Sequence, residues 1–430
     1  MPTHRDNPSI DLTDSVSPAS TRNKKAEDRM FNIFIMHLIF QYLRPQDMVG
    51  ILSVLNLPFI FQTIMIVYAI HRGLPLIRKS KTSYWMLIFC IFNLITVVYV
   101  VNHNAWYNAA MALFSYLFSL IIPALLLIKS AARLISLAKI WIIIHSLLAL
   151  WVITHGGRGP GAFVADENDV AMILAMAIPY PLLLLREQLL TGLSRWIARA
   201  AIPIMIIGVV ATNSRGSFLG MAAVVIGYLY FYRASIRAIV SIMLICLIGF
   251  LLAPQEFKNE IISINDTEDS TRNDRIDSWK AGIFMFYKNP VLGVGTGNYP
   301  WRIADYELLM NNNDVTGRLH GGRVAHSLYV TLLAELGGIG VLIFIILVSI
   351  SISDNLTASK ANIDAQLKKH NKAEKRDRDI TQTIAKANII SLGSFLVSAV
   401  FISVFYYPCL WLLFAFSAIL RQSFLNSCKD

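Results

Sequence analysis

A bilayer core about 30 Å thick is crossed by a helix of about 20 apolar residues. This chain supplies apolar stretches of that order along most of its length. They fall at 30–43, 49–70, 84–101, 106–128, 135–153, 168–185, 197–212, 217–232, 236–253, 326–350, 385–405 and 407–425. The expectation is an all-α integral membrane protein with about 12 transmembrane helices. Composition agrees, with 55% hydrophobic and only 15% charged residues. Such values exclude an ordinary soluble enzyme, a disordered regulator and a disulfide-stapled secreted domain. The net charge of +11 does not mark a nucleic-acid binder, because the cations sit in the short gaps between apolar runs. Cys90, Cys246 and Cys409 lie inside apolar runs and Cys428 near the end, without the paired spacing of a metal or redox site.

Cation placement sets the direction of threading. With the N-terminus inside, Lys and Arg split roughly 27 to 11 in favour of the inner side, accounting for all 38. Five parts follow: a polar, disordered cytoplasmic tail at 1–29, an N-terminal membrane bundle at 30–253, a long outer loop with short helices at 254–325, C-terminal spans at 326–425, and a tail at 426–430. The first apolar run is read as an uncleaved anchor. The inner loop 351–384 carries the run KKHNKAEKRDRD, a solvated and topogenic segment. The outer loop is too rich in Trp, Tyr, Phe and Ile for a linker; its stretch 276–288 has helical spacing, which Asn289-Pro290 would stop.

Polar groups at or within membrane spans are costly and functional by default. Four clusters stand out on the outer face. Thr212-Asn213-Ser214-Arg215-Gly216-Ser217 puts an arginine at a helix start, where a guanidinium and free N–H groups favour an anion. The alternative for Arg215 is snorkelling to lipid headgroups. Arg275 and Trp279 are four residues apart on one helix face, ahead of the Gly-rich turn 289–299, which permits close backbone approach. Trp279 also suits an interfacial helix with its indole at headgroup level. Arg318, His320, Arg323 and His326 lead into a span through Ser327 and Tyr329. A histidine at such a mouth can serve as a base near neutral pH, or can bond a loop carbonyl at the helix start. Glu335, about two turns further in, is a structural partner for an arginine or a tuning group. Arg158 precedes the acidic run 166–169, which reads either as part of the site or as helix capping, and completes no calcium loop. Outer-face arginines, one histidine and apolar flanks suit transfer of a sugar from a polyprenyl diphosphate, whose charge arginines can stabilise without a metal.

At these residues the sequence resembles the O-antigen ligase and polymerase superfamily of bacterial inner membranes. The motifs are Ser214-Arg215-Gly216, Arg275-x-x-x-Trp279, Asn289-Pro290-x-Leu292-Gly293-x-Gly295 and His326-Ser-x-Tyr329-x-x-x-Leu333-x-Glu335-x-Gly337, in that order over 200–350. Leu43-Arg44-Pro45-Gln46-Asp47 and GGRGPGAFVADENDVA are similar to the branch of O-glycosylation ligases associated with exosortase A. The resemblance implies a multi-pass inner-membrane glycosyltransferase of the GT-C type, with cytoplasmic termini and a periplasmic site capped by the long loop. It implies an undecaprenyl diphosphate-linked glycan as donor and inverting transfer without metal or other cofactor. Arg215 and Arg275 would hold the diphosphate and His326 would activate the acceptor hydroxyl; Arg158, Arg318, Arg323, Trp279, Tyr329 and Glu335 are accessory candidates. Many relatives carry Asn after this histidine, where this chain has Ser327. Lipid A-core, another glycan repeat and protein Ser/Thr all stand as acceptors. An anion or lipid-linked sugar transporter and a noncatalytic envelope scaffold docked through 351–384 are the competing classes.

Overall fold

The computed structural model describes residues 18–233, 270–310, 319–360 and 372–427, and all regular structure within them is helical. The longer helices are α1 (Pro18–Tyr42), α2 (Leu57–Lys79), α3 (Lys81–Val98), α4 (His103–Leu127), α5 (Ala131–Thr154), α6 (Glu167–Arg186), α7 (Gly192–Ala211), α8 (Arg215–Tyr232), α9 (Ser270–Lys288), α10 (Tyr299–Met310), α11 (Leu328–Ser359), α12 (Lys372–Ser398) and α13 (Pro408–Ser427). Among the described residues, α2 to α7, α11 and α12 are long and apolar enough to cross a membrane. Helices α1, α8 and α13 coincide with three further expected spans, and the expected span 236–253 lies outside the described residues. The chain is an all-α polytopic membrane protein with eight candidate spans among the described residues.

Helix starts follow from side chains that satisfy the orphan N–H groups of a first turn. Ser80, Asn102, Ser130, Asp166 and Ser327 each accept a backbone N–H at the head of α3, α4, α5, α6 and α11. Two boundaries differ from expectation. Residues 18–29 are helical and continue into the first apolar run, because nothing between Pro18 and Tyr42 breaks the helix. The inner loop is shorter than 351–384, since α11 runs to Ser359 and α12 begins at Lys372.

Packing between spans uses small residues and buried polar pairs, as expected where lipid offers no hydrophobic drive for association. A Cβ at Gly220 would run into the Ser398 hydroxyl, and one at Gly227 would reach Ile390 Cγ1 at 2.9 Å, so α8 and α12 meet at backbone distance. Deeper in, Tyr180 donates to Asn388 Oδ1 at 2.9 Å, and Asn388 Nδ2 donates to Asn355 at 3.1 Å and Ser417 at 3.0 Å. The periphery is apolar, with Val67, Leu147, Leu342 and Ile345 exposed.

Residues 270–310 and 319–327 fold against one end of this bundle. Helix α9 ends at Lys288, ahead of the expected Asn289-Pro290 stop, and Asn289 Nδ2 donates back to Met285 O at 3.1 Å. Helix α11 breaks at Gly337, whose φ of 59° and ψ of −162° suit glycine alone. The break leaves backbone groups without helical partners, and the turn after Pro290 supplies them: Val294 and Gly295 donate to the Ala334 and Glu335 carbonyls at 2.8 Å, and Gly338 donates to Pro290 O at 2.8 Å. Irregular backbone next to a membrane span is tolerable only when satisfied in this way.

Candidate functional site

A cavity of about 260 Å³ opens between α9 and the segment that leads into α11, lined by Asp274, Arg275, Ser278, Arg323, Val324 and His326. Arg275, half-buried, and Ser278, buried, come from the first half of α9, where the helical repeat sets them on one side. Arg323 is aimed by Asp274, its guanidinium donating to Oδ2 at 2.5 Å. His320 fixes the strap beneath: its N–H donates to Glu307 at 2.8 Å, its Nδ1 lies 2.6 Å from the same carboxylate, and its Nε2 is 3.4 Å from Asp274. Glu307, on α10, and His320 are both buried. Thus α9 and α10 together position the segment 320–326.

The next residues turn into the membrane. Trp279 donates from its indole to Ala325 O at 2.8 Å, pinning the carbonyl just before His326. His326 then takes φ of 49°, an uncommon left-handed conformation for a side-chain-bearing residue. Leu328 N–H closes onto Ala399 O at 2.9 Å, beyond the end of α12. The strained turn points to a functional constraint, since ordinary helix entry does not need it.

Arg215 belongs to the same end of the bundle. A Cβ at Gly216 would sit 3.4 Å from Phe401 Cβ, and the Phe401 ring lies 6.2 Å from that of Trp279. One aromatic pair therefore links the start of α8 to the turn holding His326. Ser214 donates to Asn168 Oδ1 at 2.8 Å, drawing the acidic run 166–169 alongside. Within that run Asp166 caps α6, accepting Asn168 N–H at 2.8 Å. Arg158 pairs with Glu167 at 3.3 Å in an exposed bridge. The second sequence segment with the same resemblance also meets this turn, for a Cβ at Gly161 would clash with the Asp47 carboxylate at 2.6 Å.

Electrostatics weaken His326 as a base. More than a third of its surface is open, yet desolvation by the surrounding walls, then the positive charge of Arg275, lowers its affinity for protons below the usual histidine range; Asp166 opposes this and Arg323 adds to it. The Asp274 carboxyl is also held below its usual range: the Arg323 guanidinium, then His320, keeps it ionised to lower pH.

The remaining candidates have structural partners. Glu335 is buried and accepts from Gly297 N–H and Tyr299 N–H, each at 2.8 Å, and from the Tyr406 hydroxyl. Its partners are the Gly-rich turn and a tyrosine, rather than the arginine that was one of its two sequence readings. Gly293, Gly295 and Gly297 all have positive φ, as the turn requires, and the close approach they permit is to Glu335, Val100 and Ala105 of the protein itself. Tyr329 donates to Leu396 O at 2.8 Å, tying α11 to α12. Arg318 lies outside the described residues. Of the pair Arg318 and Arg323, Arg323 is the one the structure places on the cavity.

Sequence reasoning missed Asp274, Ser278 and Glu307. Asp274 and Ser278 stand four apart on the helix that carries Arg275, a register signal that was legible. Glu307 and Phe401 gave no such signal, since only the tertiary fold brings them to His320 and Trp279. Among the described residues no group of three His, Cys, Asp or Glu could hold a metal ion.

The fold and this cluster define a polytopic helical membrane protein with a cationic cavity and a strained histidine at one end of its spans. Residues 200–345, from α7 into α11, match the family model described as O-antigen ligase. About a third of the chain is thus similar to the O-antigen ligase family, which supports a membrane enzyme of the glycosyltransferase or ligase type. No curated protein matches the chain.

Proposed function

We propose that this protein transfers a glycan from an undecaprenyl diphosphate-linked donor to an acceptor hydroxyl at the periplasmic face of the bacterial inner membrane. The observation that carries this reading is the convergence of Arg275, Arg323 and His326 on one cavity at the membrane end of the long loop. The positive-inside arrangement supports the periplasmic placement of that end and cytoplasmic termini. In this reading 30–253 and 326–425 form the bundle, and 254–325 covers the site.

Neutral His326 accepts the proton of the acceptor hydroxyl. The freed oxygen forms a bond to the anomeric carbon from the face opposite the diphosphate. The anomeric carbon–oxygen bond to the diphosphate breaks, inverting that centre, and undecaprenyl diphosphate leaves with the electron pair. Arg275, Arg323 and Arg215 stabilise the charge that gathers on it; loss of one such donor costs about 10²–10³ in rate. A positioned base contributes about 10²–10⁴. Lipid A-core, a glycan repeat and a protein hydroxyl are the three acceptor classes compatible with this chemistry.

The test is purified protein with a radiolabelled undecaprenyl-diphosphate glycan, offered each acceptor separately beside His326→Ala and Arg275→Ala. Label should pass to one acceptor and fall at least a hundredfold in both variants. Undiminished transfer by His326→Ala, with the protein folded, would overturn the mechanism.

A further inference from the structure

A larger cavity, about 580 Å³, lies between α6, α7 and α8, lined by Leu182, Leu185, Arg186, Arg195, Arg199, Ile202 and Tyr228. It sits at the opposite end of the bundle from His326. Helix α6 starts beside Ser214 and ends at Arg186; its 20 residues span about 30 Å of helical rise. Three guanidiniums and a hydrocarbon wall therefore share one recess on the flank of three helices, far from the cavity of the proposed reaction.

The cations are not consumed by carboxylates. Arg186 donates to the Tyr228 hydroxyl at 2.7 Å and lies 4.1 Å over the Tyr232 ring; its one acidic neighbour, Glu187, is 3.9 Å away and exposed. Arg195 donates Nε to Leu190 O at 2.9 Å, which leaves its terminal nitrogens for other acceptors. Arg199 is exposed and rests 4.7 Å from the Trp196 ring. Among the described residues neither Arg195 nor Arg199 has a carboxylate within ion-pair distance. Trp196 itself is 65% exposed, as an indole at headgroup depth is.

We propose that this recess binds one anionic phospholipid, with Arg195 and Arg199 on the phosphate and an acyl chain along Leu182, Leu185 and Ile202. Guanidiniums match phosphate oxygens in bidentate geometry, and basic recesses between spans at the cytoplasmic side are suited to acidic headgroups. The apolar wall favours a lipid over a free anion, which would leave that wall hydrated. The site is independent of the transfer reaction, so each can fail alone.

The experiment uses the full chain in nanodiscs of mixed phosphatidylglycerol and phosphatidylcholine, followed by native mass spectrometry of retained lipid. Retention of phosphatidylglycerol over phosphatidylcholine is expected. Arg195→Gln/Arg199→Gln should lower its affinity at least tenfold, and His326→Ala should leave it unchanged. Ile202→Trp, which keeps every arginine, should also weaken it by filling the apolar wall; this guards against a double variant that fails to fold. Equal retention of both lipids, or wild-type affinity in both the double variant and Ile202→Trp, would overturn the proposal. So would displacement of the lipid by millimolar inorganic phosphate, which would identify a site for a free anion.

Discussion

Replacing Glu335 by Gln should loosen the Gly-rich turn locally while leaving the rest of the outer segment in place. The carboxylate faces donors only: Tyr299 N–H on one oxygen, Gly297 N–H and the Tyr406 hydroxyl on the other. An amide keeps one acceptor oxygen, so whichever way it turns, its NH₂ opposes one backbone N–H; Gly297 N–H has a second, longer acceptor in the Tyr406 hydroxyl at 3.1 Å, so the larger effect falls on Tyr299 N–H. Leaving such a donor unsatisfied costs about 1–3 kcal/mol. Tenfold per 1.4 kcal/mol converts this to amide exchange about 5- to 150-fold faster at Gly297 or Tyr299. Val294 and Gly295 provide an internal control, because they donate to the main-chain carbonyls of Ala334 and Glu335 rather than to the side chain. Hydrogen exchange resolved across 290–300 is the assay. Exchange unchanged at all four amides would refute the reasoning, and so would equal acceleration at all four, which would mean that the whole segment opens rather than one clamp.

The remaining predictions concern the cavity. Because desolvation and Arg275 lower the proton affinity of His326, its base form persists as pH falls, and the acidic limb of kcat/KM should lie below about 6.5, the unperturbed histidine value. Arg275→Gln removes one lowering influence and should move that limb upward; a wild-type limb above 7, or one indifferent to Arg275, would contradict the assignment. Asp274→Asn removes the partner that aims Arg323. Both groups are partly exposed, so the pair contributes only about 0–1 kcal/mol to stability, present above the normal carboxyl range and lost as pH falls through the depressed value of Asp274. The unfolding midpoint should barely move while the donor KM rises several-fold; an unchanged KM would show that Arg323 does not meet the donor.

Much of the architecture was legible because a bilayer forces it. Apolar length gave the spans, and the Ser, Asn and Asp before them became caps, since an unsatisfied first turn is costly wherever it occurs. The start of α1 was misread for a related reason: polar composition at 18–29 says nothing about helicity when an apolar helix follows without a breaker. Within the site, Arg275, Arg323 and His326 were visible as polar residues beside a span, where a membrane protein has few, and the structure brings these three to one cavity. What could not be read was the direction in which residues face. Glu335 stands nine residues after His326 on a plausible common face, but the helix breaks at Gly337 and its carboxylate is taken by a turn 36 to 38 residues upstream. The same break explains the glycines.

Their motif looked like a cradle for a ligand, and it is a cradle for the protein's own backbone. Gly293 and Gly337 bring the turn and the broken helix into contact, and any Cβ at Gly337 would meet the Val291 carbonyl carbon at 2.6 Å. The motif residues of this chain therefore divide by physical task. Arginines and the histidine are carried by helix starts and a strained turn beside the cavity, where a polar ligand can enter. Glycines and Glu335 are carried deeper, where they hold the loop to the membrane bundle. A substitution in the second group reaches the chemistry only by moving the first, so its signature is altered exchange protection together with altered rate, whereas a substitution at His326 should alter rate alone.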